Sequence, residues 1–251
     1  MSVLLRAAVT SSRYGAVEVL RQVTVEVGEG EIVAVLGGNG AGKTTLLRTI
    51  SGVSVRATAE IVLDGRDISR LPAAQRVRAG VVHVPEGRRV FSDLSVLENL
   101  EVAAHARRFG PDQLRAGLDQ VFGLFPILAE RRGQRATSLS GGQQQMLAIG
   151  RGLMSAPRVL MVDEASLGLA PTTTAEMFEA LSRLGGQGLA ILLVEQNARA
   201  SLEIAARAYV LERGSVRLSG TADELLSDER VAATYLGGHL DTSPEPTKQR
   251  G

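Results

Sequence analysis

Neither cysteine nor tryptophan occurs among the 251 residues. The lack of cysteine excludes disulfides and thiolate metal sites and suits a reducing cytoplasm. Aromatic residues make up only 3% and the formal net charge is +1, so the chain has neither the stacking rings nor the basic surplus of a nucleic-acid binder. Nucleic acid is not expected as a partner. Apolar runs such as residues 159–162 and 189–194 fall far short of the roughly twenty residues that span a bilayer. Met1 to Thr10 has no basic leader followed by a long apolar core, so secretion is not expected, and membrane contact is expected to run through a partner protein. Lysine is scarce too: only Lys43 and Lys248 occur in a chain that otherwise draws its positive charge from arginine.

What is present is an ordinary globular composition, 44% hydrophobic and 22% charged. Residues 23–27 alternate as a half-buried strand before a Gly-Glu-Gly turn at 28–30, and residues 32–36 read as a buried strand. Residues 61–63 close on Asp64-Gly65, a turn that predicts a small antiparallel sheet beside the main one. From about 94 to 154 the apolar spacing turns helical, interrupted by Gly110-Pro111 and Pro126, which predicts an inserted helical lobe. Strands return at 159–162 and 189–194 with a helix through Met177, Phe178 and Leu181 between them, the pattern of a parallel sheet. A hairpin is expected to turn at Arg213-Gly214, and the polar, proline-containing tail is expected to be disordered.

Gly37-Gly38-Asn39-Gly40-Ala41-Gly42-Lys43-Thr44 matches the P-loop pattern between a predicted strand and a predicted helix. Glycines let the backbone curl so that N–H groups face phosphate oxygens, the lysine reaches the terminal phosphates, and Thr44 offers a hydroxyl to Mg²⁺. The scarcity of lysine sharpens the match, because a compact ammonium enters such a loop where a planar guanidinium does not. A second element is the strand at 159–162 ending in Asp163-Glu164, two carboxylates at the edge where ligands of parallel sheets bind. Asp163 is expected to hold Mg²⁺ through water, and Glu164 to orient the attacking water. These two motifs leave ATPase, GTPase and kinase all open.

The next motif separates them. Leu139-Ser140-Gly141-Gly142-Gln143 resembles the signature of the ABC ATPase family, whose residues open a helix that caps the nucleotide held by the opposite subunit. The resemblance covers roughly residues 4–236. It implies a P-loop NTPase core with a mainly parallel mixed sheet, an antiparallel β subdomain and an inserted helical subdomain. It further implies one ABC ATPase domain at 1–240, with the helical lobe at about 87–155 and a disordered tail at 241–251. By position it implies ATP contacts from Tyr14, stacking on adenine, and from residues 37–45 including Thr45, with Ser140, Gly141, Gly142 and Gln143 reaching the partner's ATP.

Two departures from the family pattern narrow it further. Glu86 stands where a Mg²⁺-sensing glutamine is usual, and Gln196 where a histidine facing the γ-phosphate is usual. Both look like the branched-chain amino-acid import ATPases, as do residues 164–171 and 145–151. Glu86 can still offer an oxygen to a cation, and Gln196 an N–H to a phosphate. Gly38 and Ala165 replace frequent prolines and are expected to be tolerated. His83 reads as a strand residue, while His105 and His239 carry no signal. The resemblance implies ATP and Mg²⁺ as cofactors, and a second ATPase subunit, a paralogue or an identical copy, as partner. It also implies transmembrane permease subunits, an extracytoplasmic solute-binding protein acting indirectly, and a peripheral place on the cytoplasmic face of the membrane. Residues 86–100, with Val90, Phe91, Leu94 and Leu97, are the expected permease contact. The alternative is an ABC ATPase without a transporter, acting on nucleic acid or ribosomes.

Overall fold

In the computed structural model, residues 2–53, 56–228, 230, 231 and 234 are described, with the side chains of residues 105 and 106 outside that description. The expected tail at 241–251 and His239 lie outside the described residues. The chain opens with two long antiparallel strands, β1 (Val3–Tyr14) and β2 (Val17–Gly28), followed by β3 (Ile32–Leu36), helix α1 (Lys43–Ser51), β4 (Arg56–Leu63) and the short β5 (Arg66–Asp67). Next come α2 (Ala73–Ala79) and β6 (Val81–Val84). A helical stretch follows: α3 (Val96–Arg107), α4 (Pro111–Leu124), α5 (Pro126–Glu130), a 3₁₀ turn at Ala136–Ser138, and α6 (Gly141–Leu153). The chain then returns to β7 (Val159–Asp163), α7 (Pro171–Gly186), β8 (Ala190–Glu195), α8 (Ala198–Ile204), β9 (Arg207–Glu212), β10 (Ser215–Thr221) and α9 (Ala222–Ser227).

Among the described residues these strands form two sheets, an antiparallel one in the order β2-β1-β4-β5 and a larger one in the order β10-β9-β3-β8-β7-β6. In the larger sheet β9, β3, β8, β7 and β6 run parallel, and β10 pairs antiparallel at the edge. The fold is thus α/β, a mixed and mainly parallel sheet beside an antiparallel one.

The two faces of the larger sheet explain its unbroken apolar strands. Along β3, Ile32, Ala34 and Leu36 pack into a core shared with the helical stretch, whereas Val33 and Val35 pack into a second core with the antiparallel sheet and α1. Both faces are covered, so the strand needs no polar alternation. Residues 164–169, 37–42 and 196–197 follow the carboxyl ends of β7, β3 and β8, which brings three loops to one edge of the sheet.

The joints of the helical stretch are conformationally unusual. Gly87, Arg88 and Arg89 are consecutive left-handed residues, with φ of +77°, +65° and +46°, and Ala156 at the return joint has φ +44°. Buried Asn99 pins the entry joint, its Oδ1 accepting from the Phe91 N–H at 2.8 Å and its amide donating to the Phe91 and Ser95 carbonyls at 3.0 and 2.9 Å.

Candidate functional site

Helix α1 is built to present its amino end. Leu46, Leu47 and Ile50 bury one face, and Gly42 caps the start with φ +108°, a backbone that a side chain resists. A Cβ on Gly42 would stand 2.6 Å from Leu20 Cδ2, so the space is closed as well. At the far end, the Gly52 N–H turns back to the Arg48 and Thr49 carbonyls, and buried Arg76 donates to the Thr49 and Ile50 carbonyls at 2.9 and 2.7 Å. The carboxyl end is thereby satisfied and positively neutralised, while the N–H groups at the amino end face the loop.

Lys43, only 4% exposed, donates from Nζ to the Gly37 carbonyl at 2.8 Å and the Gly38 carbonyl at 3.3 Å, and pairs with Glu164 Oε1 at 3.2 Å. The Thr44 hydroxyl donates to Asp163 Oδ1 at 3.3 Å. Asp163 is fully buried at the end of β7, and its Oδ2 has no hydrogen-bond partner among the described residues. Burial, chiefly, pushes the Asp163 carboxyl up to about 6; the Thr44 hydroxyl opposes this, while the Glu86 and Glu164 charges reinforce it. Glu164 holds a left-handed backbone, φ +46°, with its N–H donating to the Val194 carbonyl at 2.8 Å.

Residues predicted from sequence thus converge from three loops. Gln196 is exposed and shares with Gly38, Asn39, Gly40 and Ala41 a cleft of about 800 Å³. Thr45 is buried within α1. Tyr14 ends β1 partly exposed, its hydroxyl accepting from Arg48 Nη1 at 3.1 Å. Residues 140–143 open α6 with a capping box, in which the Gln143 N–H donates to Ser140 Oγ at 3.3 Å and Gln143 Oε1 accepts from the Ser140 N–H at 3.1 Å. There Gly141 backs onto the Arg88 guanidinium and Gly142 onto Thr173. His83 is a strand residue of β6. Of the predicted contact residues, Phe91 lines a separate groove of about 660 Å³ with Val53, Pro85, Val102 and Arg151, whereas Val90 packs on the core and Leu94 and Leu97 are half-buried outside the groove.

Two supports of the site carry no signal in the sequence. The tip of the β9–β10 hairpin braces the P-loop: the Gly214 N–H donates to the Ala41 carbonyl at 2.9 Å, and a Cβ on Gly37 would meet the Leu211 carbonyl at 2.4 Å. Buried Glu195 joins the loop after β7 to the loop after β8 through Ser166. Both are contacts between segments distant in sequence, invisible to local pattern.

The sequence profile of the ABC transporter family matches residues 20–167, more than half of the chain and inclusive of both phosphate-site motifs and the signature. The chain belongs to the ABC transporter ATPase family. ATP binding and hydrolysis are the reaction of these cassettes, which function as dimers with transmembrane permease components. The cassette is 46% identical over 228 residues to the high-affinity branched-chain amino acid transport ATP-binding protein BraG of Pseudomonas aeruginosa, covering 91% of this chain and 97% of that one. It is 35% identical to the probable branched-chain amino acid transport ATP-binding protein LivF of Archaeoglobus fulgidus, covering 93% and 99%. To the lipopolysaccharide export system ATP-binding protein LptB of Haemophilus influenzae the identity is 33%, covering 93% and 97%. Among solved structures, the ADP conformation of MJ1267, an ATP-binding cassette of an ABC transporter, superposes with a TM-score of 0.79 at 25% identity, over 95% of this chain and 100% of that one. No described helix is long and apolar enough to cross a membrane.

Proposed function

We infer that this cassette powers import of branched-chain amino acids, or similar small polar solutes, through a membrane permease at the cytoplasmic face. The single observation that carries the cargo is the 46% identity to BraG across nearly the full length of both chains, against 33% to the lipopolysaccharide export protein. The other ATPase of the sandwich is a paralogue or a second copy, and a solute-binding protein acts on the far side of the membrane. In this reading residues 1–240 are one ABC ATPase domain whose helical lobe, about 87–155, meets the permease at the groove beside Phe91.

The chemistry follows from the site. Backbone N–H groups of residues 37–42 and the amino end of α1 receive the phosphates, with Lys43 reaching the terminal ones. Tyr14 stacks on adenine, and Ser140, Gly141, Gly142 and Gln143 cap the ATP of the partner. Thr44, Asp163 and Glu86 supply the hard oxygen donors that Mg²⁺ takes, and the unpartnered Asp163 Oδ2 fits that assignment. Mg²⁺, when bound, neutralises charge on the phosphate oxygens. Glu164 orients the attacking water, which requires its ion pair with Lys43 to open as the terminal phosphate takes the lysine. Gln196 donates an N–H to the same phosphate.

Uptake of labelled leucine, isoleucine and valine by cells lacking the gene tests the cargo. Uptake is expected to fall and to be restored by the wild-type chain but not by Lys43→Ala. Unchanged uptake of all three in the deleted strain would overturn the cargo assignment while leaving the ATPase intact.

A further inference from the structure

Glu195 ends β8 with 1% exposure, and no lysine or arginine pairs with it among the described residues. Its Oε1 accepts from the Ser166 N–H at 2.9 Å; its Oε2 accepts from the Ser166 hydroxyl at 2.9 Å and from the Gln196 N–H at 3.2 Å. Burial, foremost, pushes the carboxyl up, with the hydrogen bonds working against it. A buried carboxylate without a cation is costly, and local folding does not demand one here, since an apolar residue would continue the buried strand. What the carboxylate does provide is a bridge. Ser166 lies two residues beyond Glu164, Gln196 is the next residue along, and the backbone bond from Glu164 to Val194 ties the same two segments once more.

We propose that Glu195 is a positioning residue of the hydrolytic site, its carboxylate yoking the loop that carries Glu164 to the loop that carries Gln196 so that both sides of the transferred phosphate are set together. This rests on the roles given above to Glu164 and Gln196. An amide cannot replace the carboxylate. Glutamine has one acceptor oxygen, so its NH₂ must face either the Ser166 N–H or the Gln196 N–H, and one arm of the yoke opens.

The test uses the purified full chain and compares wild type, Glu195→Gln, Gln196→Ala and the double variant. Steady-state hydrolysis is read beside hydrogen exchange of residues 164–169 and 195–198, with and without the non-hydrolysable analogue AMP-PNP, a readout that needs no turnover. In wild type the analogue is expected to slow exchange in both segments. In Glu195→Gln one of the two is expected to lose that protection, with kcat lower by about tenfold and KM for ATP within about twofold. The double variant should be no slower than Gln196→Ala beyond about twofold, the non-additivity of residues acting as a unit. Wild-type kcat in Glu195→Gln with both segments still protected together overturns the yoke. A Gln196→Ala variant with wild-type kcat tells instead against the role of Gln196, and the exchange result still decides the yoke. If Glu195→Gln folds poorly, Ser166→Ala, which deletes only one hydroxyl bond, is expected to lower kcat about threefold at constant KM, and an unchanged kcat overturns the proposal.

Discussion

Two glycines four residues apart, Gly38 and Gly42, separate the demands of the backbone from those of the ligand. Around Gly38 nothing approaches a Cβ within 4 Å and its φ is not left-handed, so Gly38→Ala is expected to leave the thermal midpoint unchanged. Gly42→Ala forces a left-handed alanine against Leu20, at a cost of about 2 kcal/mol or more. Calorimetry of both variants without nucleotide checks the contrast. His83 offers a pH signature at the same scale. Burial, with Arg48 nearby, lowers its imidazole to about 4 from an ordinary 6.5. Between those values the unfolded chain binds a proton that the folded one refuses, so stability falls as pH drops from 6.5 toward 4. Urea unfolding at pH 7 and pH 5 is expected to show wild type losing about 2 kcal/mol more than His83→Gln.

At the scale of elements, the β9–β10 hairpin is a brace for the P-loop as well as a sheet edge. A Cβ on Gly214 would lie within bonding range of the Val19 carbonyl, where φ is also +80°. Gly214→Ala is therefore expected to lower the thermal midpoint and to raise KM for ATP, since the turn can no longer hold the Ala41 carbonyl; unfolding scans and ATP titration of hydrolysis measure both. The hairpin itself was legible, because Arg213-Gly214 is a turn pair that accepts positive φ at both positions, as was the Asp64-Gly65 turn. Strands β3, β7 and β8 were legible as continuous apolar runs. By contrast, β1 was not. Register shifts in its pairing place Leu4 and Leu5 side by side in the core and bury Ser12, so the period of two that marks a strand is broken. Helix α2 was equally silent, since its one buried residue is Arg76, whose task is to cap a different helix. The P-loop, the paired carboxylates and the signature could be read because each concentrates its chemistry within a few consecutive residues. The bracing roles of Gly214 and Glu195 could not, because their partners, Ala41 and Ser166, lie in loops far off in the sequence.

For the whole molecule, the sandwich reading makes a prediction about mass. Glu164→Gln keeps the shape of the side chain but loses the carboxylate that orients water, so ATP is expected to bind and persist. Light scattering should then move from 26.5 kDa toward twice that value on adding ATP, with hydrolysis lost in the variant. A variant that stays monomeric with ATP and hydrolyses it at the wild-type rate would overturn the assignment of Glu164.

The two joints of the helical stretch set a further property of the whole. Arg88 and Arg89 on entry and Ala156 on return hold backbone that non-glycine residues leave readily. Each joint is thus a wound spring, kept in place only by the packing around it. If the lobe meets the permease as proposed, joints of that kind are expected to pass a displacement at the phosphate end on to it. Glycine at Arg89 or Ala156 is expected to relieve the winding and, under the proposed function, to lower solute taken up per ATP hydrolysed, which uptake measured beside hydrolysis checks.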